Sequence, residues 1–91
     1  MRYKWQKKKI LITGGTSFIG SNLVDKLVKT GAAIRVVDDL SSGKENNIRK
    51  HLKNKRIEFI KGDLRDQKIA KKSLRNVDLV IHLAGDHGGR G

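Results

Sequence analysis

The stretch Lys9-Ile10-Leu11-Ile12-Thr13-Gly14-Gly15-Thr16-Ser17-Phe18-Ile19-Gly20 restricts the fold more than any other part of this 91-residue chain. A short run of Ile and Leu meets two glycines. Apolar residues then recur at helical spacing: Ile19, Leu23, Val24, Leu27 and Val28. This order predicts a buried strand that turns sharply into an amphipathic helix. Gly31 follows the last apolar position, where a helix end often needs a left-handed residue.

Three more apolar runs follow: Ile34-Arg35-Val36-Val37-Asp38, Arg56-Ile57-Glu58-Phe59-Ile60 and Asp78-Leu79-Val80-Ile81-His82-Leu83. Runs rich in Ile, Val and Leu, without clean alternation, suit parallel strands covered on both faces. Residues 44–52 predict a second helix and 66–74 a third, with Asp66 as its N-cap. Strands and helices therefore alternate. Right-handed crossovers give an α/β fold with strand order 3-2-1-4, the N-terminal half of a Rossmann doubly wound parallel sheet.

In that context the glycines become informative. Gly14 allows the turn after the first strand, and Gly20 allows the helix to pack close to the sheet. The middle position of a dinucleotide-binding loop is usually glycine, and here it is Ser17. Its hydroxymethyl group is small, and its hydroxyl is expected to reach a phosphate oxygen. Thr16, Ser17 and the neighbouring amides cap the positive end of the helix, which favours an anion. Asp38 ends the second strand eighteen residues past Gly20, near the spacing expected of a carboxylate that binds an adenosine ribose. A 2′-phosphate would be repelled there, more so with Asp39 beside it. NAD is therefore expected over NADP, although the positive Arg35 and Lys44 act against that preference.

Composition narrows the alternatives. Lys and Arg number 21 against 9 Asp and Glu, a net charge of +12, which raises nucleic acid or another anion as a partner. A solvated lysine-rich surface, as in heat-adapted proteins, accounts for the same balance. Only Tyr3, Trp5, Phe18 and Phe59 are aromatic, so no base-stacking platform is visible and nucleic acid is not expected. There is no cysteine, and His51, His82 and His87 lack metal-ligand spacing. The apolar run Ile10–Ile12 is too short for an export signal, and no stretch approaches a membrane span. A cytoplasmic protein is expected. A chain this short buries only about 60–65% of its unfolded surface, so marginal stability is expected as well.

Taken together, "TGGTSFIGSNLV", "VVDDLSSG", "KGDLRD" and "VDLVIHLAG" resemble the extended short-chain dehydrogenases/reductases, specifically the NAD-dependent nucleotide-sugar epimerases and dehydratases. The ending "LAGDHGGRG" is similar to the loop of GDP-mannose 3,5-epimerase-like members. The resemblance implies a cofactor site made by Gly14, Thr16, Ser17, Phe18, Ile19 and Gly20. After the second strand it adds Asp38, Asp39, Leu40, Ser42 and Gly43, with Ser41 in the same turn. It places Asp63 and Leu64 beside the adenine, and Leu83, Ala84 and Gly85 along the ribose and phosphates. Gly85 stands where the family usually has alanine.

The resemblance also implies what to look for in the chemistry: a tyrosine base with a lysine four residues later, and a Ser or Thr that orients the sugar. They are expected beyond the fourth strand, and no such pair follows it here. Tyr3-Lys4-Trp5-Gln6-Lys7 has the spacing but precedes the first strand, at the wrong end of the sheet. The expected organisation is a flexible basic leader over residues 1–8 and a partial NAD-binding domain over 9–91, truncated and inactive alone. The nucleotide sugar then binds only the full-length parent. The alternatives are a nucleotide-binding half-Rossmann module completed by a partner chain, and a basic nucleic-acid-associated protein.

Overall fold

The computed structural model describes residues 5–40 and 43–83. Four strands form one parallel sheet: β1 (Lys9–Thr13), β2 (Ala33–Asp38), β3 (Ile57–Lys61) and β4 (Leu79–His82), in the order β3-β2-β1-β4. Ile10 lies opposite Ile34 on one side and Leu79 on the other, and Val36 lies opposite Phe59. The expected order 3-2-1-4 is the observed one. Helix α1 (Phe18–Val28) joins β1 to β2, and α3 (Gln67–Leu74) joins β3 to β4.

Alternation along the strands divides the core into two layers. Ile10, Ile12, Ile34 and Val36 face α1 and meet Val24, Leu27, Val28 and Ile48. Leu11, Val37 and Ile60 face the other way and pack with Leu64, Ile69 and Val77 around α3. Each fully buried Leu, Ile or Val stabilises the fold by about 1.5–3 kcal/mol relative to exposure. The α3 layer is thinner and leaves Leu74 and Val80 half exposed.

The second helix departs from expectation. Residues 44–52 form a 3-10 turn over Glu45–Ile48, then a five-residue helix α2 (Arg49–Lys53). The interruption falls at the Asn46-Asn47 pair, two residues of low helix propensity. The Asn47 side-chain Nδ2 donates to the Thr16 carbonyl, at 2.6 Å. Before β1, Trp5–Lys7 form a 3-10 turn, with Gln6 beside Gly31. Strand β4 is shorter than expected by one residue at each end; before it, the Asp78 amide donates to the Lys9 carbonyl and the Asp78 carboxylate accepts from the Lys9 amide, each at 2.8 Å.

Candidate functional site

The carboxyl ends of the four strands bring the sequence-predicted residues to one edge of the sheet. Strand β1 ends at Thr13, and Gly14 turns the chain with φ of 76°. That left-handed conformation favours glycine. The Gly14 amide donates to the Val37 carbonyl at 3.0 Å, tying the turn to β2. A Cβ on Gly20 would collide with the Gly14 carbonyl oxygen, so the first turn of α1 lies directly on the loop.

Ser17 caps the helix as expected, and its hydroxyl is also engaged within the loop. It is the N-cap of α1, and its Oγ accepts from the Gly20 amide at 3.0 Å. The same hydroxyl donates to the Gly14 carbonyl at 2.9 Å. Its hydrogen is thus engaged inside the loop and does not point outward to a phosphate. The amides of Phe18 and Ile19, in the first turn, have no intrahelical partner. They lie at the positive end of an eleven-residue helix. Phe18 and Ile19 themselves are exposed, at 80% and 73%.

Asp38, at the end of β2, points into the glycine loop. Its Oδ2 accepts from the Thr16 amide at 3.1 Å and from the Thr16 hydroxyl at 2.5 Å, and its Oδ1 accepts from the Leu40 amide at 2.8 Å. An ionised carboxylate has about four acceptor positions, so with the donors of the described residues one position on Oδ1 is open to a further donor. Leu40 adopts φ of 66°, bending the chain back over the carboxylate. Asp39 is exposed beside it. Gly43 packs so closely on Thr16 that a Cβ there would collide with it. Thr16 is fully buried under this cover, and its carbonyl accepts from the Lys44 amide at 3.2 Å.

Arg35 does not act against the NAD preference as expected. Three residues from Asp38 on the same strand, it emerges on the opposite face. Its Nε donates to Glu58 at 2.9 Å, and its Nη1 donates to the carbonyls of Lys72, Ser73 and Arg75. It is 95% buried and anchors the C-terminal end of α3, away from the site.

Asp63 follows β3 through Gly62, whose amide donates to the Asp38 carbonyl at 3.0 Å. The Asp63 carboxylate is engaged by the backbone and guanidinium of Arg65, at 2.6–2.9 Å, which holds it below the usual carboxylate pKa. Leu64 turns partly into the α3 layer of the core. Leu83 packs on the α1 layer, and its amide donates to the Thr13 carbonyl and hydroxyl. Ser41, Ser42, Ala84, Gly85 and the rest of the "LAGDHGGRG" ending beyond Leu83 lie outside the described residues.

Sequence reasoning missed the polar side chains that lock this edge together. Asn47 and the Thr16–Asp38 pair carry no periodic signal. The bond between Thr13 Oγ1 and His82 Nδ1, 2.7 Å long, joins β1 to β4 and has none either. His51 is buried and bonded to Asp25 at 2.5 Å, a structural clip between α2 and α1. Among the described residues no group of His, Asp and Glu is arranged to hold a metal.

This edge, with its tight glycine turn, helix N-terminus and strand-end carboxylate, has close relatives. The family profile described as "NAD dependent epimerase/dehydratase family" matches residues 10–91. The chain belongs to that family. A putative UDP-glucose 4-epimerase of Methanocaldococcus jannaschii is 41% identical over 76 residues, which cover 82% of this chain and 23% of the relative. The UDP-glucose 4-epimerase of Thermotoga maritima, solved with UDP-glucose, is 40% identical at a TM-score of 0.75, covering 87% of this chain and 25% of that one. The dTDP-glucose 4,6-dehydratase of Bacillus anthracis, solved in complex with NAD, is 28% identical at a TM-score of 0.80, covering 87% and 27%. The chain thus spans about a quarter of the length of the relatives it matches.

Proposed function

We propose that this chain binds the adenosine diphosphate half of NAD as the cofactor-binding part of a nucleotide-sugar epimerase or dehydratase. The observation that carries the reading is the bonding of Asp38 to the glycine loop through Thr16, beside the open first-turn amides of α1. The amides and the helix dipole suit a pyrophosphate. The open position on Asp38 Oδ1 suits a ribose hydroxyl. Asp38 and Asp39 together disfavour a 2′-phosphate. Asp63, Leu64, Leu83, Ala84 and Gly85 would border the adenosine and the phosphates, with Leu40, Ser42 and Gly43 closing the β2 side.

Bound NAD supplies reversible hydride transfer to and from a sugar carbon. The UDP-glucose and NAD seen in relatives support the substrate class and the cofactor. A cytoplasmic setting goes with this reading, and among the described residues no helix is long and apolar enough to cross a membrane. Calorimetric titration with NAD tests it. Weak binding, above about 1 µM and equivalent to less than about 8 kcal/mol, is expected, because the nicotinamide side is not built by these residues. Asp38→Ala or Gly14→Val should abolish the heat. Titration without saturable heat would refute the reading.

A second reading has its own support. Among the described residues β4 pairs only with β1, and Val80 on it is 45% exposed. A separate chain that adds a strand there would complete the sheet. Sedimentation of the pure chain with candidate partners from neighbouring reading frames distinguishes the two.

A further inference from the structure

A second charged feature lies away from the glycine loop. Lys68, Lys71, Lys72 and Arg75 recur along α3 at spacings of three and four, so they share one face. All four are exposed and line a single groove, with Arg35 and Glu58 as its floor. The one carboxylate in the groove is neutralised internally, since Glu58 pairs with Arg35 at 2.9 Å and with Lys9 at 3.6 Å. Among the described residues none of the four α3 cations forms an ion pair.

This stripe works against its own helix. Lys68–Lys72 and Lys71–Arg75 are like-charge pairs at i,i+4, a destabilising arrangement. Lys68 also lies in the first turn, where the helix dipole opposes a cation. Dipole compensation explains a cation near Arg75 but not Lys68. A row of uncompensated charge on a helix is relieved by an external anion. No aromatic side chain lines the groove, so neither base stacking nor an aromatic protein anchor is provided. At about 1.5 Å rise per residue, Lys68 to Arg75 spans about 10 Å. Phosphates on one strand of duplex DNA advance about 3.4 Å each along the duplex axis, so a stripe of this length covers about three steps of axial rise.

We propose that the α3 face docks on the phosphate backbone of duplex DNA, without reading bases. The proposal is independent of the NAD reading. Arg75 lies three residues before Asp78, which bonds to Lys9 at the start of β1, so the stripe ends at the sheet edge opposite the glycine loop.

The test is fluorescence anisotropy of a labelled 20-base-pair duplex against the whole chain over a salt series. The quadruple variant Lys68→Gln, Lys71→Gln, Lys72→Gln, Arg75→Gln removes the stripe while keeping good helix formers. A control with Lys26, Lys29, Arg49 and Lys53 changed to Gln removes the same charge from α1, its C-cap and α2. Circular dichroism melts confirm that both fold. The stripe variant should lose at least 10-fold in affinity at low salt, and its plot of log K against log salt should flatten by about 3–4 in slope. The control should lose under about 3-fold. Equal losses in the two variants, or no binding by the unaltered chain at low salt, would overturn the proposal. So would tighter binding to an RNA duplex or to poly-glutamate than to DNA.

Discussion

Thr16 and Asp38 stand 22 positions apart and are bonded twice, once through the Thr16 amide and once through its hydroxyl. Both are buried, so the carboxylate depends on those donors for its solvation. Thr16→Val keeps the shape and removes one donor. Denaturant unfolding should show a loss of about 1–3 kcal/mol, the scale of leaving a buried polar group short of a partner. Thr16→Ser should recover most of it. The parts of the site legible in the sequence were those that backbone geometry forces on residue choice. Gly14 was readable because only glycine sits easily at φ of 76°, and Asp38 because of its distance from the loop. Ser17 was readable as tolerated, but its engagement with the Gly14 carbonyl was not, since a hydroxyl's direction leaves no trace in spacing. The place of Arg35 is illegible for a related reason. Closeness in sequence to Asp38 says nothing of the opposite face that it occupies.

The strands and their order were legible because short apolar runs alternate with helical periodicity, and right-handed crossovers admit few topologies. The second helix was not, because the Asn47 side chain at its interruption bonds the glycine loop, a tertiary contact that a local pattern does not show. Helix α3 shows how one side chain secures an element. Arg35 binds three carbonyls at its C-terminal end and the Glu58 carboxylate. Arg35→Ala should cost about 1.5–3 kcal/mol, the scale of hydrogen bonds to a charged group. In a domain this small that lowers the melting temperature by several degrees. The Arg35 hydrogen bond holds the Glu58 pKa below its ordinary 4.5. A depressed carboxylate stabilises the folded state above its unfolded pKa, and that stability is lost as pH falls through the lower folded value. Stability should therefore decline below about pH 4.5. In Glu58→Gln this part of the decline should be missing from a pH series of melts. The effect is small, since Glu58 is half exposed and such pairs contribute under about 1 kcal/mol.

The whole molecule joins a net charge of +12 to a strand, β4, that among the described residues has a partner on one side alone, and these oppose each other in solution. Like charge keeps copies apart, while β4, with Val80 and Leu74 uncovered, favours strand-to-strand association. Added salt screens the repulsion, with a Debye length near 10 Å at 0.1 M. Light scattering of the pure chain should rise with salt, and Val80→Lys should suppress that rise. At this scale the account rests on one edge of the sheet gripping adenosine and its diphosphate. The most direct test is a nitrogen-15 NMR titration of the chain with NAD. Saturable shifts should gather at Gly14–Gly20, at Asp38–Leu40 and at Leu83, and NADP should produce weaker ones at the same amides. Shifts absent from those amides, or equal for the two cofactors, would contradict the account.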